Sequence, residues 1–333
     1  MTTSRNPSID AFRLVCAYGV VFVHLAPCET YGDWVGRSFN ILTVPFFIVT
    51  GLFFFIGKTH SALQTPGPLL PRLHFERLWV PYLSWTLLYL AMRLVKSRLQ
   101  QTEMAFEWPQ LLLYGGAGVQ LYFLPLMLLC QGWVLGILLL RKRRHLLLAG
   151  VVLLVALAYA CIGSVKNYDQ FEEAVPRSLL YVLAAWLLHH VHASRRAVRA
   201  NAWIGAVVSL AAVAAAGLDV IPSWLAWVAG PLAGYAISSA VLALPSIRSS
   251  SPLVLWALSS SYGIYLMHHG LIECLEVVMA RSGFPLTPYD FYVKSLLVAP
   301  LVCLACIGLI GALRQSQHLR FFLLGEASPT RPR

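Results

Sequence analysis

Charge is scarce in this chain. Only 12% of its 333 residues are Asp, Glu, Lys or Arg, against roughly 25% in a typical soluble domain. With 58% hydrophobic residues, a soluble fold would lack the polar side chains needed to cover its outside, so that class is excluded. Acid is scarcer still, at 14 Asp and Glu against 25 Lys and Arg. The basic excess falls in short clusters between apolar runs, RKRRH at 141–145 and HASRRAVR at 192–199. Clusters of that kind read as orientation signals in a membrane, and nucleic acid is not an expected partner.

Other absences narrow the field further. The seven cysteines (Cys16, Cys28, Cys130, Cys161, Cys274, Cys303 and Cys306) form no secreted disulfide framework. Cys303 and Cys306 share one apolar run and read as small packing residues. In HHVH at 189–192, His189 and His192 share a helix face, but no pair of carboxylates or cysteines nearby completes a metal site. A helix end before a basic loop explains them, and no metal is expected. There is no evident internal repeat, and no loop is long enough for an extra soluble domain. The expectation is one membrane domain over 1–333, with a helical core at 9–313 and a short tail at 314–333. The first apolar run lacks a small-x-small cleavage pattern, so it is expected to be a retained helix rather than a signal peptide.

What is abundant is apolar length. Ten candidate spans lie at about 9–28, 40–57, 78–95, 119–139, 146–163, 177–192, 202–217, 222–243, 253–275 and 295–313, near the ~20 residues that cross a bilayer core. The expected fold is an all-α polytopic transmembrane bundle of about ten helices. Placing the N-terminus inside puts 1–8, 58–77, 141–145, 193–201, 244–252 and the tail on one side. With the adjoining helix ends, these hold most of the Lys and Arg but only Asp10, Glu76 and Glu326 among the acids. That asymmetry predicts cytoplasmic termini, with 29–39, 96–118 and 164–176 outside.

Within this apolar frame, polar groups stand out. RLVCAYGVVFVH at 13–24 separates Arg13 from His24 by eleven helical steps, roughly 16 Å and almost three full turns. Both side chains therefore leave one face. Taken alone, a snorkelling arginine and an interfacial histidine explain the pair. The ninth span adds SSSYGIYLMHHGLIE at 259–273, where His268 lies about as far from the inner side as His24. Intramembrane ionisable groups usually face a cavity, a partner or the bundle interior. Tyr262, Tyr265 and His268 follow at three-residue steps and can share a face, for core hydrogen bonding or for chemistry. His269 points about 100° away and is the weaker candidate of the two. RLHFERLWVPY at 72–82 brings Arg72 and Arg77 to the start of the third span, either as a topology signal or as a phosphate-binding entrance. VPFFIVTGLFFF at 44–55 places Thr50 and Gly51 in an aromatic helix. VQLYFLP at 119–125 offers Gln120 and Tyr122, the latter also explained as an aromatic-belt residue.

Taken in order, these stretches resemble the acyltransferase 3 family of integral membrane O-acyltransferases. Arg13 and His24 match its Arg/Lys-x10-His arrangement, and Thr50–Gly51 its aromatic–Ser–Gly helix. Arg72, Arg77, Pro81 and Tyr82 are similar to its R-x4-RL-x2-PY entrance, and SYGIYLMH at 261–268 to its SY-x-IYL-x-H pattern. YFL at 122–124 stands where members often carry WFL. The resemblance is to the compact, membrane-only branch.

The resemblance implies an acyl-CoA donor, commonly acetyl-CoA, used from the cytoplasm. It also implies transfer to a hydroxyl of a sugar, lipid-linked glycan or other envelope acceptor. The expected setting is a bacterial cytoplasmic membrane, with the lipid bilayer and envelope polysaccharide assembly proteins as partners. His24 is then the expected general base, its reference pKa of about 6.5 suiting proton transfer near neutrality. Arg13 is expected to share in catalysis, orienting the donor or stabilising developing negative charge, and Arg72, Arg77 and Tyr82 to bind the donor's anionic part. Thr50, Gln120, Tyr122, Tyr262, Tyr265 and His268 are expected to line the site or meet the acceptor. A transporter or flippase for an envelope glycan is the alternative, since it too needs a helical bundle with a polar cavity and basic loops.

Overall fold

The computed structural model describes residues 7–25, 31–66, 73–100, 111, 115–140, 170–192, 195–221, 223–245, 251–284 and 290–326. The expected fifth span (146–163), the RKRRH loop and Arg72 lie outside these. Among the described residues there is no strand.

Helix α1 (Pro7–His24) opens on proline, whose fixed φ suits a first helical position. It buries Ile9, Cys16, Ala17, Val20 and Val21, an apolar stripe at helical spacing. Helix α2 (Tyr31–Gln64) has 34 residues, about 51 Å at 1.5 Å per residue, and so outruns a ~30 Å hydrocarbon core. It is longer at both ends than the expected 40–57. The early turns are held where Arg37 donates from Nε and Nη2 to the Gly217 carbonyl, at 3.3 and 3.1 Å. The late turns are held by Thr59 bonding back to the Phe55 carbonyl (2.8 Å) and Lys58 donating to that of Leu73 (3.2 Å). Pro45 interrupts the helix's own ladder. Its carbonyl lies so close to Gly234 that a Cβ there would come within 2.6 Å of it.

The chain continues through α3 (Glu76–Gln100), a 3₁₀ turn (Val119–Tyr122), α4 (Phe123–Leu140), α5 (Gln170–His192), α6 (Arg195–Gly217) and α7 (Ser223–Ala243). The expected ninth span is not one helix. It divides into α8 (Pro252–Leu258) and α9 (Ser261–Arg281). The Ser259 and Ser260 hydroxyls both turn back to the Trp256 carbonyl, at 2.7 and 2.9 Å, while Arg314 donates to the Ser259 carbonyl at 3.1 Å. Side-chain competition for backbone groups breaks the helix there. Helix α10 (Phe291–Gln315) contains a π-helical stretch at Lys294–Val298.

The tail does not simply trail away. Ser316 caps α11 (Gln317–Leu324), which ends at Gly325 in the left-handed region, φ 61°. Trp85 donates from Nε1 to the Leu323 carbonyl at 2.8 Å, tying α11 to α3. Glu326 closes the turn on Arg314 at 2.7 Å.

Five helical stretches among the described residues are long and apolar enough to cross a membrane: 33–64, 76–98, 119–140, 200–217 and 291–315. The packing agrees. One core joins α1, α2, α4, α5, α9 and α10 through Val21, Leu52, Leu124, Leu188, Ile264 and Val302. A second joins α1, α2 and α7 through Ile9, Cys16, Phe46 and Ile237. The outward face of α6 is equally apolar: Trp203, Ile204, Val207 and Leu210 are all exposed. An outside as apolar as the inside is what lipid, not water, favours. The protein is a multi-pass membrane protein.

Candidate active site

Helix α1 delivers its two polar ends to two differently built places. At one, here the basic end, a cavity of about 330 Å³ opens between α1, α2, α4 and α9, beside the segment that starts α3. Arg13, Lys58, His74 and Arg77 supply its polar rim, with Gln131 of α4. Arg13 lies 3.7 Å from Asp10, and its guanidinium stands 5.9 Å from the centroid of the Phe54 ring. His74 adopts φ 57°, a conformation non-glycine residues seldom hold, and its Nδ1 lies 3.0 Å from Glu76 Oε1. This turn brings Arg77 to the cavity mouth at the first turn of α3.

Deeper in, the walls become apolar: Phe47 and Gly51 from α2, and buried Phe123 and Met127 from α4, with Phe54 exposed beside Arg13 at the rim. Gly51 lets the Met127 side chain approach α2 closely, since a Cβ there would lie 2.7 Å from Met127 Cε and push that flexible end aside. Ser261 and Tyr262 line the remaining side. The Tyr262 hydroxyl is buried and finds no hydrogen-bond partner among the described residues.

The cavity stops at an aromatic stack. Phe47 and Phe123 pack at 6.3 Å between ring centres, and both meet Tyr265, at 6.2 and 5.1 Å. Tyr265 is anchored by donating its hydroxyl proton to the Gln120 backbone carbonyl. Beyond it lies His268, at 6.1 Å from Tyr265 and 5.2 Å from His24. His268 is fully buried. Its Nδ1 lies 3.0 Å from the Ile264 carbonyl. A carbonyl only accepts, so this nitrogen carries the proton and Nε2 holds the lone pair. That Nε2 has no hydrogen-bond partner among the described residues.

The sequence-expected residues thus divide. Arg13, Arg77 and Tyr262 meet in the cavity; His24, His268 and Tyr265 meet beyond its aromatic end. Gln120 is buried between them and reaches the Leu266 carbonyl at 3.5 Å, while neighbouring Tyr122 is half-buried. Thr50 and Tyr82 do not line the cavity. Thr50 is buried and bonded to the Phe46 carbonyl at 2.6 Å, and Tyr82 is buried with its hydroxyl at the Gly115 backbone.

Several residues escaped the sequence reading, His74 and Gln131 of the cavity among them. Lys58 joins the cavity rim from α2. Tyr89 of α3 donates to the Leu266 carbonyl at 2.9 Å and receives the Gly270 N–H at 3.2 Å, bracing α9 beside the histidines. Glu273 accepts His269 Nε2 at 3.3 Å, with Lys96 3.9 Å away. The i,i+4 spacing of His269 and Glu273 was the available signal for this pair. His269 itself approaches His24 to 5.5 Å, because His24 packs across the boundary between two faces of α9 and meets both rings.

One helical bundle thus holds a cation-rimmed cavity and, at the other end of α1, a histidine cluster around buried His268. The acyltransferase-domain family model matches residues 6–314, nearly the whole chain. The protein belongs to the acyltransferase 3 family and is a membrane acyltransferase. No curated protein and no solved structure matched.

Proposed function

We propose that the protein is an O-acyltransferase that moves an acyl group, acetyl foremost, from acyl-CoA to a hydroxyl of an envelope or exported glycan. The observation that carries this reading is the division of α1. Its Arg13 borders a cavity rimmed by cations, and its His24 joins a histidine cluster at the other end of the same helix. Arg77 and Lys58, with Arg72 expected beside them in sequence, suit the phosphates of CoA. The apolar walls suit a long, thin arm. The basic end is then cytoplasmic, with both termini on that side, in a bacterial cytoplasmic membrane.

In the proposed step, the acceptor hydroxyl oxygen forms a bond to the thioester carbonyl carbon. The hydroxyl proton passes to His24, the carbon–sulfur bond breaks, and the proton then neutralises the departing thiolate. His268 holds its tautomer through Ile264 and orients the His24 ring. Glu273 sets His269 from the opposite side. The acyl group must pass the Phe47–Phe123–Tyr265 stack to reach His24, so this stack has to shift when donor is bound.

Purified protein in detergent, given labelled acetyl-CoA and the glycan acceptor, should transfer label without any transmembrane gradient. A transporter or flippase would not, and absence of transfer by folded protein would reject the enzymatic reading. For orientation, cysteines engineered within 141–145 should resist impermeant thiol reagents in intact cells. Outside labelling there would invert the proposed sidedness.

A further inference from the structure

Resting on the donor reading of the cavity, we infer that the Tyr262 hydroxyl is a donor-binding group that hydrogen-bonds a carbonyl oxygen in the arm of the acyl donor and sets how deep that arm enters. Tyr262 lies at the second position of α9, where it lines the cavity opposite Gly51 and Met127. Its ring lines the cavity while its hydroxyl lies beneath the wall, buried and with no hydrogen-bond partner among the described residues, so the ring has to turn toward the arm to meet it. A polar group buried without a partner loses its hydration with nothing in return, so such groups call for an explanation.

The surroundings select the ligand. The charged groups of the cavity, Arg13, Lys58 and Arg77, gather on its rim, while the walls facing Tyr262 are Phe47, Phe123 and Met127. A phosphate bound at the rim stays with the cations, where its charge is matched. What reaches Tyr262 must be mainly apolar yet carry an isolated acceptor, and an amide or thioester carbonyl on a flexible chain has that character. The other tyrosine on this face is already committed, since Tyr265 donates to the Gln120 carbonyl. Of the two tyrosines on this face, Tyr262 is therefore the one left for a ligand. It stands six residues before His268 on the same helix, roughly 9 Å along the axis, so a carbonyl held there leaves the remainder of the arm directed at the histidines.

The test is Tyr262→Phe in full-length protein in detergent, with two probes: acetyl-CoA, and adenosine 3′,5′-bisphosphate, which lacks the arm. Affinity for acetyl-CoA should fall about five- to tenfold, the scale of one hydrogen bond, with affinity for the bisphosphate unchanged. Ligand-free thermal stability should stay level or rise, because the variant removes an unsatisfied buried hydroxyl. An unchanged acetyl-CoA affinity, an equal loss for both probes, or a variant that unfolds or melts earlier would each overturn the proposal. The last would mean that the hydroxyl serves the protein's own structure. Wild-type protein that binds neither probe would instead remove the donor reading of the cavity, and this inference with it.

Discussion

At its basic end the molecule keeps an open cavity in which Arg77 is exposed and Arg13 half-buried; at the histidine end His268 is fully enclosed and packs ring to ring with His24. Both places are served by the same two helices, α1 and α9. The helix rise fixes how far apart Arg13 and His24 stand, but the neighbours decide what each can do. Charged groups at the rim keep access to water and to a large anion, where electrostatic contacts are screened by salt. His268 sits where water is excluded, with His24 and His269 half-buried beside it, and there a hydrogen bond or a proton transfer responds strongly to geometry.

The largest expected effect is at the enclosed end. His24→Ala should lower transfer at saturating donor by at least ~100-fold, the scale of a lost general base, while acetyl-CoA affinity stays near that of the unaltered protein. Near-normal turnover by folded His24→Ala would end its role as base. At the open end, the double variant Arg72→Ala/Arg77→Ala should raise the donor Kd by about tenfold or more, from loss of charge-assisted bonds. The loss should shrink at high salt. If acetyl-CoA affinity held steady, these arginines would keep only a role in orientation. His268→Ala should reduce turnover by about tenfold without changing donor affinity, since it orients His24 from behind the aromatic stack. A matching loss of donor affinity would erase the distinction between the two ends.

The smallest effect tests the support of the open end. Gly325 holds φ 61° against the Arg77 carbonyl. Gly325→Ala adds a Cβ in a conformation that costs about 1–2 kcal/mol for L-residues, and that Cβ would overlap the Arg77 carbonyl oxygen, so α11 must also back away from α3. Thermal unfolding should begin about 2–5 °C earlier, with a mild loss of donor affinity; an unchanged melting profile would show that the tail contributes nothing to α3.

How much of this was legible in the sequence depended on whether a contact lay along one helix or between helices. The Arg13–His24 separation follows from helix rise alone. The matched depth of His24 and His268 followed from counting residues from the same side, and their rings do pack together. The break at Ser259–Ser260 was not legible, because part of its cause is Arg314, some 55 residues away. The same holds for Lys58, which reads as a helix-end charge until α3 and α4 close a cavity around it. The aromatic stack needed three helices at once: Phe47, Phe123 and Tyr265 each read as ordinary membrane packing, and only their meeting ends the cavity. The sequence spacing placed His269 on a different side from His268, yet a ring of His24's size bridges 100° of helix surface.

The docking of α11 bears on how the protein can be handled. The family match ends at residue 314, but the chain then folds back so that Gly325 rests on the backbone of Arg77 and Glu326 grips Arg314. Anything joined after this point, such as a purification handle or a reporter protein, leaves the bundle within a few residues of the cavity mouth. A bulky or acidic fusion there would crowd or repel an anionic donor without touching any residue of the site. A loss of activity seen with fusions after Glu326 but not with the unfused protein would trace to this crowding rather than to the chemistry at His24.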